Sequence, residues 1–327
     1  MELKGIHHVT AITSSAEKIY DFFTNILSLR LVKKTVNQDD INTYHLFFAD
    51  DIGSAGTDMT FFDFKGIGPA YHGNDEITRT AFRVKDDASL EYFKKRFEHY
   101  DVEHEDIKTL FGNKVLYFKD FDNQLYALIS DELDKGVKSG IPWKNGPVPE
   151  EFAITGLGPI FLTISDIDRM KMLLTSVFYM RFVKEEDNKH LFYMGEGGNG
   201  ASVILIKNDE HLRGTQGFGG IHHVAFTVED TNEIHKWTDR LNNLKAINSG
   251  YVDRFYFESL YTRVYPNILF ELATKGPGFI DDEESYEILG ETLALPPKYR
   301  NQRKEIESYV RHIDTVRSNK TFKKEYF

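Results

Sequence analysis

Two histidine pairs occupy identical settings, Gly5-Ile6-His7-His8-Val9 and Gly220-Ile221-His222-His223-Val224, 215 positions apart. Imidazoles presented from strands are common ligands of divalent metals. A third residue fits the same chemistry. Glu271 lies in the apolar stretch Asn267-Ile268-Leu269-Phe270-Glu271-Leu272, and a carboxylate between Phe270 and Leu272 is costly to bury unless something positive receives it. His8, His223 and Glu271 give two nitrogens and one oxygen donor and leave coordination positions open, which suits non-haem Fe(II), with Mn(II) as the alternative. The chain contains no cysteine, which excludes thiolate ligands, disulfides and a cysteine nucleophile.

The identical pentapeptide points to a chain built from copies. At an offset of 151, Leu29 to Lys33 align with Met180 to Lys184 and Gly5 aligns with Gly156. At an offset of 144, Ile77 to Val84 align with Ile221 to Val228, Asn123 with Asn267 and Leu128 with Leu272. Four units follow, starting near Gly5, Ile77, Gly156 and Ile221. At the His8 position they carry His8, Arg79, Pro159 and His223, and unit 2 has Ala127 where unit 4 has Glu271. Only units 1 and 4 keep imidazoles, and Ala127 shows that the carboxylate is not a requirement of the strand. One metal per chain is expected, with the His8 and His223 nitrogens within roughly 4 Å of each other. Adjacent strand residues face opposite sides, so the residues alone leave open which histidine of each pair faces inward.

Each unit has the pattern of a βαβββ module. In unit 1 a strand over 6–13 leads to a helix with a Ser14/Glu17 capping-box pattern and an apolar face of Ile19, Phe22, Phe23, Ile26 and Leu27. In unit 4 a strand over 221–228 leads to a helix with Ile234, Trp237, Leu241 and Leu244 on one face. Strands over 43–49 and 58–64 flank the turn Asp50-Asp51-Ile52-Gly53. The expected fold is α+β, with four βαβββ units forming two cup-shaped mixed-sheet modules and a C-terminal helical tail. The expected division is 1–135 (units 1 and 2), a Gly-, Pro- and Lys-bearing linker over 136–151, 152–278 (units 3 and 4), and a tail over 279–327. The tail opens on Asp281-Asp282-Glu283-Glu284, and Pro296-Pro297 precede a docked amphipathic helix with Tyr299, Ile306, Tyr309, Val310 and Ile313.

The net charge of −11 and the absence of a basic stripe argue against nucleic acid as a partner. No signal-peptide core or membrane-spanning run is evident, so a cytoplasmic protein with a small-molecule site and no membrane partner is expected. Homo-oligomerisation is compatible with the sequence and not specified by it.

These residues resemble the vicinal-oxygen-chelate superfamily (glyoxalases, bleomycin resistance proteins and extradiol dioxygenases), and within it the ring-cleaving dioxygenases of hydroquinones. The resemblance covers nearly the whole chain. It rests on the two histidine pentapeptides, on Tyr44 to Asp50 with Gly53 and Gly56-Thr57, on Asp253 to Tyr261, on Phe270-Glu271 and on Leu295-Pro296-Pro297. It implies the second histidine of each pair, His8 and His223, with Glu271 as metal ligands. It also implies His7, His222, Arg254, Tyr261 and Thr10 around the site, and a pairing of unit 1 with unit 4. The implied reaction inserts O2 into a hydroquinone or related diphenol. His222 is the candidate acid/base, Tyr261 a hydrogen-bond donor, and Arg254 a stabiliser of negative charge. Ortho-diol enzymes of the superfamily usually take their ligands from the second half alone, and Pro159 at that position argues against them. A glyoxalase-type isomerase would need a second glutamate, which Ala127 does not supply. A non-catalytic aromatic- or drug-binding member would typically have lost the triad.

His45, His72 and His190 have no repeat partner, and His45 in its alternating strand is expected to be structural. His235 and His312 are expected on solvated helix faces, and Gly195 to Gly200 as a hairpin turn without the lysine of a phosphate-binding loop.

Overall fold

The structure is a computed structural model that describes residues 1–208, 212–280 and 283–327. Asp281 and Asp282 of the acidic stretch lie outside the described residues. Unit 1 supplies β1 (Ile6–Ile12), α1 (Ala16–Asp21), β2 (Arg30–Asn37), β3 (Asp40–Ala49) and β4 (Asp58–Phe62). Unit 2 supplies β5 (Glu76–Val84), α2 (Asp87–His99), β6 (Lys108–Leu110), β7 (Asn113–Lys119) and β8 (Leu125–Ser130). Unit 3 supplies β9 (Ile154–Ile164), α3 (Ile167–Met172), β10 (Arg181–Glu186), β11 (Lys189–Tyr193) and β12 (Ser202–Lys207). Unit 4 supplies β13 (Gly220–Val228), α4 (Thr231–Asn243), β14 (Asn248–Asp253), β15 (Glu258–Val264) and β16 (Ile268–Thr274).

Two eight-stranded mixed sheets result. One has the order β14-β15-β16-β13-β1-β4-β3-β2, the other β10-β11-β12-β9-β5-β8-β7-β6. Each sheet therefore joins one unit from each half of the sequence, units 1 and 4 in the first and units 2 and 3 in the second. The seams are the antiparallel pairs β1–β13 and β5–β9.

The apolar spacing of the helices explains where they dock. Ile234, Trp237 and Leu241 of α4 are buried, while Leu244, expected on that face, is the C-cap residue and stays half exposed. In α1 the N-cap is Ser15, whose Oγ accepts from the Lys18 amide. Ser14, expected in that role, instead donates to Asp122. The helix then widens into a π-turn over Phe22–Ile26. Phe23, fully buried, touches Phe48 and Phe61 of the first sheet and Phe82 and Tyr126 of the second. It is a joint between the two cups.

The tail docks against the first cup. Phe279 and Leu289 pack with Phe47 and Tyr256, and a fully buried ion pair joins Lys33 Nζ to Glu284 Oε2 at 2.8 Å. Helix α5 spans Arg303–Tyr309 and is shorter than expected. Val310 is already extended, so His312 lies beyond the helix, although Ile313 is buried as the pattern required. Gly195 to Gly200 form the turn and short 3-10 segment between the antiparallel strands β11 and β12.

Phe23→Ala removes the ring that both sheets share. It is expected to destabilise the chain by about 3–5 kcal/mol, read as a lower urea midpoint. An unchanged midpoint would show that the sheets do not depend on this joint.

Candidate metal centre

Strand β1 lies antiparallel to β13, with Thr10 opposite His223 and His8 opposite Ala225. Strand β16 runs parallel to β13 and sets Glu271 beside Ala225. Three ligand-type side chains thus converge on the interior of the first cup. His8 Nε2 and His223 Nε2 are 3.3 Å apart, and Glu271 Oε2 is 3.1 Å from the first and 3.0 Å from the second. All three residues are buried, and they are the only such cluster among the described residues. Glu271 Oε1 accepts from Ser259 Oγ at 2.6 Å, whereas Oε2 has no aligned hydrogen-bond donor despite its two close nitrogens. Three donor atoms face one point and one buried carboxylate oxygen lacks a donor. The group fits a single divalent ion with two imidazole nitrogens and one carboxylate oxygen.

The histidines preceding His8 and His223 explain how the rings are aimed. The β1–β13 register slips once at His7 and once at His222, so each is the extra residue of a β-bulge. The strict alternation expected of a strand fails there, and both rings of each pair turn to the same region. His7 Nδ1 is 2.8 Å from His8 Nδ1, and His222 Nδ1 is 2.8 Å from His223 Nδ1. His7 Nε2 lies 2.9 Å from the Thr274 carbonyl. A carbonyl can only accept, so His7 carries its proton on Nε2 and accepts at Nδ1 from His8. His8 Nε2 is then left with a lone pair directed at the cluster, the arrangement in which an outer partner fixes a metal ligand's tautomer.

Electrostatics favour the same state. Burial pushes the pKa of His223 down, and those of His7 and His222 down to about 3, so these rings are neutral. Burial opposes ionisation of Glu271, but positive charge on the His8 or His223 side outweighs it and holds the carboxyl well below its ordinary range, and a cation among the three groups would take the place of that proton. Neutral imidazoles beside an ionised carboxylate are the forms that bind a cation.

A cavity of about 290 Å³ opens over the cluster, lined in part by His8, His222, His223, Phe257, Tyr261 and Arg254. Glu271, His7 and Thr10 do not line it. Thr10 bonds Thr60 at 2.8 Å, and His7 packs on Phe257. The segment between β14 and β15 turns tightly, with the Arg254 amide bonding the Phe257 carbonyl and Phe255 at a left-handed φ of 71°. This turn carries Arg254 to the cavity mouth. There its guanidinium is gripped by both oxygens of Asp39, at 3.1 and 2.9 Å, and its Nε donates to Tyr261 Oη at 3.1 Å. Burial drives the Tyr261 pKa far up, so the phenol keeps its proton. Sequence reasoning missed Asp39 and Gln38, which close the mouth from the β2–β3 hairpin; Gln38 Nε2 donates to the Arg254 carbonyl. It also placed His45 as structural, yet His45 lines the cavity, and burial holds its pKa well below the usual value. The alternation of β3 could have signalled an inward histidine. His72 and His190 lie outside this site, paired with Glu76 and Glu185, and His235 stacks on Tyr251.

The second cup keeps the bulge and lacks the chemistry. Arg79, at the His223 position, donates to the Tyr126 carbonyl and lies 4.4 Å over the Tyr117 ring. Phe111, Phe161, Leu191 and Ile204 pack its interior beside Ala127.

The glyoxalase/bleomycin resistance protein/dioxygenase superfamily model matches residues 156–264. "Putative ring-cleaving dioxygenase MhqA" of Bacillus subtilis (strain 168) is 40% identical over 318 residues, spanning 96% of this chain and 100% of its own. The chain belongs to that superfamily, in its branch of ring-cleaving dioxygenases. A chlorohydroquinone/hydroquinone 1,2-dioxygenase of Sphingobium indicum is 29% identical over 316 residues, 93% of this chain and 95% of its own. A crystal structure of a dioxygenase so named with the qualifier "putative", from Bacillus subtilis, superposes with a TM-score of 0.87 at 30% identity, covering 96% of this chain and 99% of that one.

His8→Ala, His223→Ala and Glu271→Ala are each expected to abolish tight binding of one metal ion per chain while leaving the circular dichroism spectrum unchanged. His7→Ala, which removes only the outer partner, should retain that stoichiometry with affinity lowered about 10–100-fold. Elemental analysis and metal titration check both. Two tightly held ions per wild-type chain, or complete metal loss in His7→Ala alone, would contradict the assignment.

Proposed function

We propose that the protein is a metal-dependent dioxygenase that opens the ring of a hydroquinone or related diphenol with O2, using His8, His223 and Glu271 as ligands of Fe(II), with Mn(II) as the alternative. The observation that carries this reading is the buried two-histidine, one-carboxylate cluster at the base of an aromatic-lined cavity. Relatives named as ring-cleaving dioxygenases, one of them acting on hydroquinone, support it. The metal, when bound, supplies a Lewis acid for a phenol oxygen and an electron relay to dioxygen.

The chain's own residues set up the rest. Phe47, Phe62, Tyr256 and Phe257 wall the cavity and offer ring faces and edges to an aromatic substrate. With His223 Nε2 committed as a ligand, its proton resides on Nδ1 and donates to His222 Nδ1. His222 then carries its own proton on Nε2, a nitrogen with no partner among the described residues. His222 lines the main cavity and an adjoining one of about 400 Å³, so its Nε2–H can donate to a substrate oxygen. His7 cannot do this, because Thr274 holds its outer proton. His7 and Thr10 are positioning residues in this reading. Tyr261 accepts from Arg254, which leaves its own O–H free to donate to an oxygen that becomes negative during the reaction. Arg254 fixes the Tyr261 ring and contributes positive charge at the mouth.

Anaerobically Fe(II)-loaded protein is expected to consume one O2 per hydroquinone, and catechol far more slowly. Tyr261→Phe and Arg254→Ala should keep the metal and lose turnover on the order of 10²-fold, measured with an oxygen electrode. Wild-type rates in both variants would assign these residues to structure alone. Absence of oxygen uptake with any diol would leave the fold with a binding role.

A further inference from the structure

The cavity has a polar patch that lies off the ligand-bearing strands. Thr35 on β2 and His45 on β3 are direct cross-strand partners, and both line the cavity. Side chains so placed lie about 4.5–5.5 Å apart at Cβ. Strands β3 and β2 follow β4 in the order β1-β4-β3-β2, so this wall is separate from β1, β13 and β16, which carry the cluster.

Both residues offer unused hydrogen-bonding capacity. Thr35 is 1% exposed, and its Oγ1 is buried without a hydrogen-bond partner among the described residues. A hydroxyl buried in that state is destabilising, and a ligand oxygen that reached it would supply the missing partner. His45 Nε2 is bonded to Thr60 Oγ1 at 2.9 Å, and Thr60 Oγ1 to Thr10 Oγ1 at 2.8 Å. The His45 ring is held between Phe47 and Phe62, with ring centroids 4.0 and 4.4 Å away. Its Nδ1 has no partner among the described residues, and a neutral ring with one nitrogen engaged can accept or donate at the other. Other polar groups at the mouth are partly committed: Arg254 to Asp39 and Tyr261, Gln38 Nε2 to the Arg254 carbonyl, and Asn37 Oδ1 to the Asp39 amide, while Gln38 Oε1, like Thr35 Oγ1, is buried without a partner among the described residues.

We propose that Thr35 and His45 form the subsite for the second hydroxyl of a para-diol, the first being at the His8/His223/Glu271 cluster. The proposal rests on the functional reading above and deepens it. The two oxygens of a para-diol sit at opposite ends of the ring, so one can reach the cluster while the other reaches a separate wall. An ortho-diol carries both oxygens on one side of the ring, so with one at the cluster it brings none to the opposite wall, and a monophenol likewise leaves the Thr35 hydroxyl unpaired. The pair therefore selects para-diols over both.

Calorimetry under anaerobic conditions on the metal-loaded full chain, titrated with hydroquinone and with phenol, tests this without turnover. The wild type should bind hydroquinone about 10-fold tighter than phenol, the factor for one net hydrogen bond. Thr35→Val, which preserves shape, and His45→Phe should each reduce that ratio to about 3 or less, and the double variant should bring it near 1, with metal content unchanged. A wild-type ratio near 1, or a ratio that survives in both single variants, overturns the proposal, including when both affinities fall together. Oxygen uptake by the wild type with hydroquinone tests the dioxygenase reading separately, so the two can fail independently.

Discussion

The antiparallel pairing of β1 with β13 is the constraint on which the site depends. It brings together residues 215 positions apart and fixes which side chains face each other across the seam. A slip of one residue would turn His8 or His223 out of the cup, because side chains alternate with period two. Two bulges, one on each strand, make the seam suitable for a metal. By adding His7 and His222 outside the ladder they let each pair act as a unit, one ring facing the cluster and the next bracing it. The bracing is unequal. His7 ends at a backbone carbonyl, whereas His222 faces two cavities. A symmetric duplication has thus yielded one partner locked to a carbonyl and one whose outer nitrogen opens to the cavity.

Glu271 shows the cost of the arrangement. A carboxylate with no exposure costs several kcal/mol to desolvate unless it is compensated. The protein gives it one hydroxyl, from Ser259, and leaves the other oxygen to the two imidazoles. The second cup avoids that cost. With Ala127 at the equivalent position and Arg79 turned onto Tyr117, it needs no ion, and its interior is filled with apolar side chains. Phe23 then ties this plain module to the one that holds the cluster. In this account the second cup serves as scaffold, and its sequence was free to drift from the ligand set.

Much of this was legible in the residues. Repetition exposed the four units, and comparing His8, Arg79, Pro159 and His223 singled out the two units whose imidazoles meet at the cluster. The apolar spacing in α4 and the orphan carboxylate at Glu271 carried direct physical meaning. What failed was local. The parity rule could not choose between His7 and His8, because a bulge suspends alternation and leaves no signature in the sequence. The Ser14 cap was displaced by Ser15, since Asp122, distant in sequence, captures the Ser14 hydroxyl. The tail helix stopped at Tyr309 because Val310 and Ile313 reach the core as extended chain. His45 was passed over because the repeat comparison rewards residues with a counterpart, and a cavity wall contributed by one unit alone has none.

The most direct measurement is the anomalous diffraction signal of a metal-loaded crystal. The account predicts one peak per chain, about 2.0–2.2 Å from His8 Nε2, His223 Nε2 and Glu271 Oε2, with His7 and His222 in the outer shell. A peak coordinated by His7 or His222, a second tightly bound peak in the other cup, or no peak at the seam between β1 and β13 would contradict it.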